Sequence, residues 1–475
     1  MAIKRPKIGI YCIGTPRFDA IGDSEATVNG INAEFVAQLK ERLGRFCDVV
    51  DPGIIKARDQ IGKAVDLFFA EHVDAVFLTQ LTWTEDFQIN GLLRDMPPCP
   101  IFFAQINKPI NFTKTYTSEA DFARFLSRGN LVGSLQGSGD AKRYGRDAFH
   151  NCVGTFDQVM EEFEKFAKVC SLRSMLRRSS WGQLGGNFEV MWSTYVDPYL
   201  FYQKFGPELH FLTVAELEAE VEKVDAAALD ANVQELLRRY KLGNNFDHDK
   251  FVASVRASMA MEAMIKKYGI SALSLCDGNP QLFEHIGLRP GFWPTPFGGC
   301  KDVPVVAESD LGACMATYVM KMISGGHVTM VEPFNIDPEN DTVSAGHGGP
   351  NDYTDPEANT LLGEDTRFAK TPYKYAGAPF AWYVVPGGPK TFAHISQCGN
   401  GFKLVAFEGE GIAEEHMLAS YNQARFRVKG GTASQLVKFL MDEGVTQHYA
   451  LAPGSHLDEL RMFAEVMGFR YCEFR

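Results

Sequence analysis

Two glutamates, Glu308 and Glu332, each follow a short apolar stretch that is typical of a buried β-strand. Residues 302–308 read DVPVVAE, residues 327–332 read HVTMVE, and an apolar helix is predicted between them at 311–323. The separation of 24 residues (332 − 308) fits one right-handed β-α-β crossover. Such a crossover would place both carboxylates at the same edge of one parallel sheet, where open α/β sheets bind ligands. Two acids there are costly unless a cation offsets their charge.

Two histidines add nitrogen ligands to these carboxylates. His347 stands in a glycine-rich turn, SAGHGGPND, and His448 stands in VTQHYALAPG, which is predicted to be a strand. Two carboxylates and two imidazoles suit a divalent cation of the manganese type, with positions left for water or for the hydroxyls of a sugar. Spacing does not show that the four side chains meet, because His347 and His448 are 101 residues apart (448 − 347).

The elements that must position these residues fall into two patterns. The first third alternates apolar strands with helices of about ten residues, which indicates parallel β-α-β units. A long amphipathic helix is predicted from residue 156. From about residue 333, short alternating strands predict an antiparallel sheet or barrel. These strands have the sequences FAWYVV, TFAHIS, FKLVAFEG and QARFRVKG.

Composition excludes several classes of function. The chain has 475 residues and a net charge of −12, which argues against a nucleic-acid-binding surface. No apolar run approaches the roughly 20 residues that cross a bilayer, and no Cys-x-x-Cys pair indicates a thiolate zinc site. The first predicted strand is followed by GTPRFD rather than by a glycine-rich dinucleotide motif. We therefore expect a cytoplasmic protein that binds a small molecule and neither nucleic acid nor membrane.

The motifs taken together resemble the arabinose isomerase and fucose isomerase superfamily. The resemblance is carried by PVVAE ending at Glu308, by Val331-Glu332, by the His347-Gly-Gly loop and by His448. The ending HYALAPGSHLDELRMFAEVMGFRYCEF is similar to that of arabinose isomerases. The sequence departs from that family at Gln447-His448, where a His-His doublet is usual, and in its opening turn GTPRFDA. The metal chemistry is therefore carried over more securely than the choice of sugar.

The resemblance implies a fold, a cofactor and a reaction. It implies an α/β protein with two Rossmann-like parallel domains, at 1–172 and 173–332, followed by a domain at 333–475 with an antiparallel β-barrel. It implies that Glu308, Glu332, His347 and His448 bind Mn2+ or another divalent cation, in a homo-oligomer built from trimers, up to a hexamer. The expected activity is aldose–ketose isomerisation of an open-chain pentose or 6-deoxyhexose through an ene-diol, with Glu308 and Glu332 as the acid/base pair.

Three further residues are candidates for sugar binding. Met191 lies in GGNFEVM, which resembles a substrate-pocket stretch of the isomerases, although core packing is the competing interpretation. Gln80 and Trp83 follow the apolar strand VDAVFL, where they either line a pocket or cap the domain. Two other functions stay open at this point. One is a catalytically silent sugar-binding relative, and the other is a metal-assisted hydrolase.

Overall fold

The structure of the chain is a computed structural model. The structure describes residues 2–96, 98–109, 117–146, 148–243, 245–286, 294–355, 358–416 and 421–475. The chain divides into two compact units. We call residues 3–175 with 461–468 the N-terminal unit, and residues 176–460 with 469–475 the C-terminal unit. The division into three domains stays a prediction. No helix within the described ranges is long and apolar enough to cross a membrane.

The N-terminal unit contains the parallel sheet that the alternating pattern predicts, with strand order β2-β1-β3-β4-β5. Its inner strands are buried on both faces because helices cover them. The strands are β1 (Lys7–Ile13), β2 (Asp48–Val50), β3 (Ala75–Gln80), β4 (Ile101–Ile106) and β5 (Phe149–Gly154). The helices are α1 (Val28–Leu43), α2 (Arg58–Ala70), α3 (Asp86–Asp95), α4 (Glu119–Leu126), α5 (Leu131–Tyr144) and α6 (Phe156–Leu176).

The C-terminal unit begins with a second parallel sheet, of order β10-β9-β6-β7. Its strands are β6 (Ser180–Leu184), β7 (Glu208–Leu212), β9 (Ile270–Leu275) and β10 (Val305–Val306). The helices in this region are α7 (Pro198–Leu200), α8 (Val214–Val221), α9 (Ala226–Arg239), α10 (His248–Tyr268) and α11 (Leu311–Ser324). The short strand β8 (Lys241–Leu242) lies outside this sheet and pairs with strands from later in the chain.

The antiparallel barrel predicted for the last part of the chain is present in the same unit. Within the described residues six strands close it, in the order β15-β18-β11-β12-β17-β16, and β16 pairs back with β15. They are β11 (Thr329–Asp337), β12 (Thr342–His347), β15 (Gly388–Cys398), β16 (Gly401–Gly411), β17 (Asn422–Val428) and β18 (Tyr449–Pro453). The helices α12 (Ala433–Glu443) and α13 (Leu457–Met467) and the edge strand β19 (Arg470–Glu473) complete the chain.

One predicted barrel strand has a different place. The first half of the FAWYVV segment is β14 (Phe380–Trp382), which pairs antiparallel with β13 (Leu361–Gly363), and only Val384 of the second half bridges to Gln423 of the barrel strand β17. β13 in turn pairs with β8 in a small separate sheet. The apolar pattern therefore identified a strand but not its partner, because pairing partners are set by tertiary packing rather than by local sequence.

The predicted β-α-β crossover between Glu308 and Glu332 is wrong. Glu308 follows β10 of the parallel sheet, whereas Glu332 lies within β11, which pairs antiparallel with β12 and β18 in the barrel. Helix α11 between them therefore carries the chain from one sheet to the other. The apolar strand-helix-strand pattern is the same for both arrangements, since it reports burial and not the sheet that a strand joins.

Helix α11 is buried along nearly its whole length, because it packs on strands of the parallel sheet and on β15 and β18 of the barrel. This explains why its sequence is apolar on every face instead of amphipathic. Its N-terminal turn approaches β15 so closely that a Cβ atom at Gly312 would lie 2.3 Å from the carbonyl oxygen of Ile395. Only glycine fits at this position without a shift of backbone.

We expect Gly312→Ala to destabilise the protein by about 2–3 kcal/mol, since the added methyl group overpacks a rigid backbone contact. Urea or thermal unfolding measures the effect. The matched control is Gly62→Ala in α2, where a Cβ atom would meet nothing within 4 Å and where alanine should stabilise the helix by up to about 1 kcal/mol. Equal unfolding midpoints for the two variants would contradict this packing.

Candidate metal centre

Glu308 is held in a strained turn directly after β10. Its φ is +60° and that of Ser309 is +56°, so two consecutive non-glycine residues have left-handed backbone conformations, each of which costs on the order of 1–2 kcal/mol. The N–H of Ser309 donates to the carbonyl of Leu275 at 2.9 Å, and the N–H of Glu308 donates to Oδ1 of Asp277 at 2.8 Å. Strain of this kind persists only where surrounding contacts impose it, and it is concentrated at functional sites.

The side chain of Ser309 ties this turn to the loop after β6. Its Oγ donates to the carbonyl of Gly186 at 2.5 Å and accepts from Nε2 of Gln183 at 2.9 Å. Gln183 also donates to Oδ1 of Asn187 at 2.8 Å. The loop that contains the GGNFEVM segment is thereby fixed against the turn that contains Glu308.

Asp310 links the same turn to His448. Its carboxylate caps α11 by accepting from the N–H of Ala313 at 2.8 Å, and its Oδ2 lies 2.9 Å from Nδ1 of His448. Both side chains are fully buried. The bond to Asp310 places a proton on Nδ1 of His448 and leaves Nε2 to face Glu308. A carboxylate that orients a histidine in this way is a regular feature of metal sites.

His347 is the last residue of β12, immediately before the Gly-Gly sequence that the motif predicts. The strand reaches this point through Gly346, where a Cβ atom would lie 2.0 Å from the carbonyl oxygen of Asn422 on β17. The chain then turns at Gly349, whose φ is +122°. The imidazole of His347 is consequently delivered to the end of the barrel with 2% of its side chain exposed.

The structure brings three of the four predicted ligands together. Nε2 of His448 lies 3.1 Å from Oε2 of Glu308, and Nε2 of His347 lies 3.6 Å from Oε1 of the same carboxylate. The two imidazole rings are nearly perpendicular, with centroids 5.1 Å apart. One ligand atom from each of the three residues lies within 4.8 Å of the other two, a spacing that suits a single metal ion. Three elements distant in sequence thus converge on one point.

Glu332 lies near this group but is not a member of it. It is half-buried on β11 and pairs in register with Gly346, so it is placed across the strand pair from the residue before His347. The group that could hold a metal among the described residues contains Glu308, His347 and His448 only. A role for Glu332 as a ligand or as an acid/base residue stays a prediction.

The charges of the group are strongly coupled. Burial raises the pKa of Glu308, but the contacts with His347 and His448 outweigh it and hold that pKa well below its ordinary value. Burial lowers the pKa of His448, but the carboxylates of Asp310 and Glu308 outweigh it and raise that pKa to about 10. Burial raises the pKa of Asp310, but His448, His394 and the N–H of Ala313 together outweigh it and lower that pKa. At neutral pH two carboxylates therefore face one imidazolium.

The donor set fits a divalent cation. Nε2 of His448 is buried and lies 3.1 Å from the carboxylate of Glu308, and Nε2 of His347 lies 3.6 Å from the same carboxylate. Ring nitrogens that face a buried carboxylate can share a metal ion with it in place of a proton. A divalent cation that replaced the proton on Nε2 of His448 would carry the charge needed to offset the two carboxylates of Glu308 and Asp310. Imidazole ligands suit zinc, iron, copper or nickel, and a carboxylate ligand suits manganese as well.

The three predicted sugar-binding residues have different places. Met191 accepts a hydrogen bond at its sulfur from Nε2 of Gln447, at 3.1 Å, so it lies beside the residue that precedes His448. Gln80 is buried at the end of β3, and Nε1 of Trp83 donates to Oε1 of Gln136 at 3.1 Å. Those two residues belong to the N-terminal unit. Contact with a sugar stays a prediction for all three.

Two cavities of the C-terminal unit are separate from the metal group. Their volumes are about 410 and 370 Å3, and Gly326, His327 and Asp352 line both. None of the predicted metal ligands lines either one. They adjoin the C-terminal end of α11, whereas the metal group adjoins its N-terminal end, so the helix separates them by roughly 20 Å.

The sequence motifs did not identify Asp277, Ser309 or Asp310. Ser-Asp immediately before an apolar helix is a recognisable N-cap signal, and it could have identified Asp310 as the cap of α11. The bond of Asp310 to His448 spans 138 residues, and no local signal reports a contact of that range. The same holds for the bond between Asp277 and the N–H of Glu308.

Comparisons with known proteins do not assign the chain to a family. No model of a known protein family matches the sequence, and no curated protein matches it. The function must therefore be inferred from the geometry of the group formed by Glu308, His347 and His448.

Proposed function

We propose that the protein is an aldose–ketose isomerase that depends on a divalent metal ion, Mn2+ in the first instance. Its substrate would be an open-chain pentose or 6-deoxyhexose, similar to L-arabinose or L-fucose. One observation carries the proposal: the assembly of Glu308, His347 and His448 into a buried group with metal-ligand spacing. The strained turn at Glu308 and the orienting carboxylate of Asp310 support it, since both are costly features that a purely structural role does not require.

Each residue of the site has a separate role in the proposed reaction. The metal ion, when bound, supplies Lewis-acid polarisation of the sugar carbonyl and hydroxyl oxygens. Glu308, His347 and His448 hold the ion, and Asp310 holds His448 in the tautomer that leaves Nε2 as a ligand. Glu308 and Glu332 form the acid/base pair that moves a proton between C1 and C2 of the substrate. Glu332 is proposed as the main acid/base residue, because it lies beside the three ligands and is not itself a ligand.

We also propose that both parallel sheets are Rossmann-like domains. We propose further that the protein forms a homo-oligomer built from trimers and is located in the cytoplasm. The strand order of the N-terminal sheet, β2-β1-β3-β4-β5, is a doubly wound order and supports a Rossmann-like domain there. Sedimentation equilibrium measures the number of subunits.

The reaction is tested by incubating metal-loaded protein with individual aldoses in D2O. We expect the ketose to form only when the metal is present, and deuterium to appear at C2 of the re-formed aldose, because the proton that leaves C2 exchanges with solvent in the ene-diol. A panel of pentoses and 6-deoxyhexoses with no metal-stimulated ketose formation would refute the isomerase assignment. Ketose with no deuterium at C1, together with recovered aldose with none at C2, would indicate direct hydride transfer from C2 to C1 and contradict the ene-diol route.

The two competing functions predict different results for the same preparation of the protein. A catalytically silent sugar-binding relative would be stabilised by a sugar without metal in a thermal-shift measurement, whereas the isomerase should need both. A metal-assisted hydrolase would cleave a glycosidic or ester bond without deuterium entering at C2. The buried imidazoles of His347 and His448, whose Nε2 atoms both face the carboxylate of Glu308, favour a metal-dependent protein over the silent relative.

A further inference from the structure

We propose that Asp277 is the positioning residue of the metal centre: its carboxylate faces both the turn that contains Glu308 and the loop that follows His347, and so sets the distance between these two ligands. The inference rests on the proposed metal centre but concerns a residue outside the ligand set.

Asp277 occupies the carboxyl edge of the second parallel sheet. It comes two residues after the end of β9, its N–H donates to the carbonyl of Leu275 at 3.0 Å, and only 1% of it is exposed. The carbonyl of Leu275 also accepts from the N–H of Ser309. The residues after β9 and the turn after β10 are thus held side by side, because the two strands are parallel neighbours.

The first oxygen of Asp277 supports the strained turn. Oδ1 accepts from the N–H of Glu308 at 2.8 Å, and Glu308 is the first of the two residues with positive φ. Without an acceptor this partly buried N–H would be a donor with no partner, which would destabilise the turn. The left-handed conformation of Glu308, and with it the direction of its side chain, therefore depends on this carboxylate.

The second oxygen of Asp277 lies against the loop after His347. A Cβ atom at Gly349 would be 3.1 Å from Oδ2 of Asp277 and 3.3 Å from the Cβ of Ala307. The φ of Gly349 is +122°, which is strained for any other residue. Glycine at this position therefore lets the backbone of the loop pack directly on the carboxylate.

The two contacts join elements of different sheets. Glu308 is attached to the parallel sheet through β10, and His347 is attached to the barrel through β12. A residue that touches both segments fixes the span between Glu308 and His347, and metal affinity is sensitive to ligand placement of this kind. The negative charge of Asp277 beside the group would attract a cation further, so geometry and charge must be separated experimentally.

Two substitutions at Asp277 separate the effect of its geometry from the effect of its charge. Asp277→Asn keeps an acceptor oxygen for the N–H of Glu308 and removes only the charge, whereas Asp277→Ala removes both. We expect Asp277→Ala to weaken Mn2+ binding by about 10- to 100-fold, as measured by calorimetry on the full-length chain, and Asp277→Asn to restore most of the affinity. The visible spectrum of bound Co2+, which reports ligand geometry, should change in Asp277→Ala and remain close to wild type in Asp277→Asn.

The control is Asp365→Ala, which removes another aspartate that is 1% exposed in the same unit. Its carboxylate forms an ion pair with Arg367. A merely structural role for Asp277 predicts the same Co2+ spectrum and the same Mn2+ affinity for all folded variants, and that result would overturn the inference. If Asp277→Ala does not fold, Gly349→Ala tests the same contact from the other side and should weaken Mn2+ binding, while an unchanged affinity would overturn the inference. Failure of the wild-type chain to bind Mn2+ would instead refute the proposed function.

Discussion

Replacing Glu308 with glutamine is expected to weaken Mn2+ binding by more than about 100-fold. Loss of a residue that only orients a ligand costs 10- to 100-fold, and Glu308 is the carboxylate that both His347 and His448 contact. A neutral amide cannot balance a divalent charge in a buried site. Isomerisation should fall by roughly 1,000-fold or more, because the metal and one member of the acid/base pair are lost together. Calorimetry with Mn2+ and the D2O assay measure the two effects.

The matched control for this substitution is Glu262→Gln. Glu262 is 3% exposed on α10 of the same unit, where its carboxylate accepts from the N–H and hydroxyl of Thr295. Loss of that buried carboxylate should leave Mn2+ affinity at the wild-type level, whatever it does to the free energy of unfolding. Equal losses of Mn2+ affinity in both variants would show that the effect of Glu308→Gln is not local to the metal centre.

The second large effect is expected in the pH dependence of metal binding. The pKa of His448 is raised to about 10 in the metal-free chain, so the ion must displace a proton from it at any pH below that value. Apparent Mn2+ affinity should consequently rise about tenfold for each pH unit between roughly 7 and 9. The raised pKa also stabilises the metal-free fold below about pH 6.5, the ordinary histidine value, and this stabilisation is lost as the pH rises through 10.

The variant Asp310→Asn tests the cause of that dependence. Asparagine is as good an N-cap as aspartate, so α11 should remain capped. The pKa of His448 should fall towards its ordinary value, because one of the two carboxylates that raise it is gone. We expect the pH dependence of Mn2+ affinity to flatten above about pH 7 in this variant. A slope that is unchanged from wild type would contradict the assignment of the displaced proton to His448.

Local sequence predicted the elements of this fold better than their arrangement. The apolar runs that became β1, β3 and β4 and the helix α11 were readable because burial leaves a clear apolar pattern. The same pattern could not show that the strand after α11 joins the barrel. A buried parallel strand and a barrel strand next to a packed helix have equally apolar sequences.

The ligand set could be predicted from the sequence for a different reason. Carboxylates and imidazoles at the ends of apolar strands, or in glycine-rich turns, are unusual enough to suggest a shared cation. Glu308, His347 and His448 do come together, although the crossover that was expected to bring Glu308 and Glu332 to one edge does not exist. The convergence is produced by the end of β12, the residue immediately before β18 and the turn after β10, and only tertiary structure shows it.

The residues that support the ligands could not be found from sequence. Asp310 reaches His448 and Asp277 reaches the N–H of Glu308 across long sequence separations. The left-handed conformation of Glu308 and Ser309 has no sequence signal either, because neither residue type favours it. Such strain is imposed by surrounding contacts and is therefore a property of the assembled fold.

Anomalous diffraction from crystals of the full-length chain grown with Mn2+ tests the central claim most directly. We predict one strong anomalous peak per chain within bonding distance, roughly 2.0–2.3 Å, of an oxygen of Glu308 and of one ring nitrogen each from His347 and His448. The contrary result would be no peak at this position in protein saturated with Mn2+, or a peak elsewhere with the three side chains directed apart.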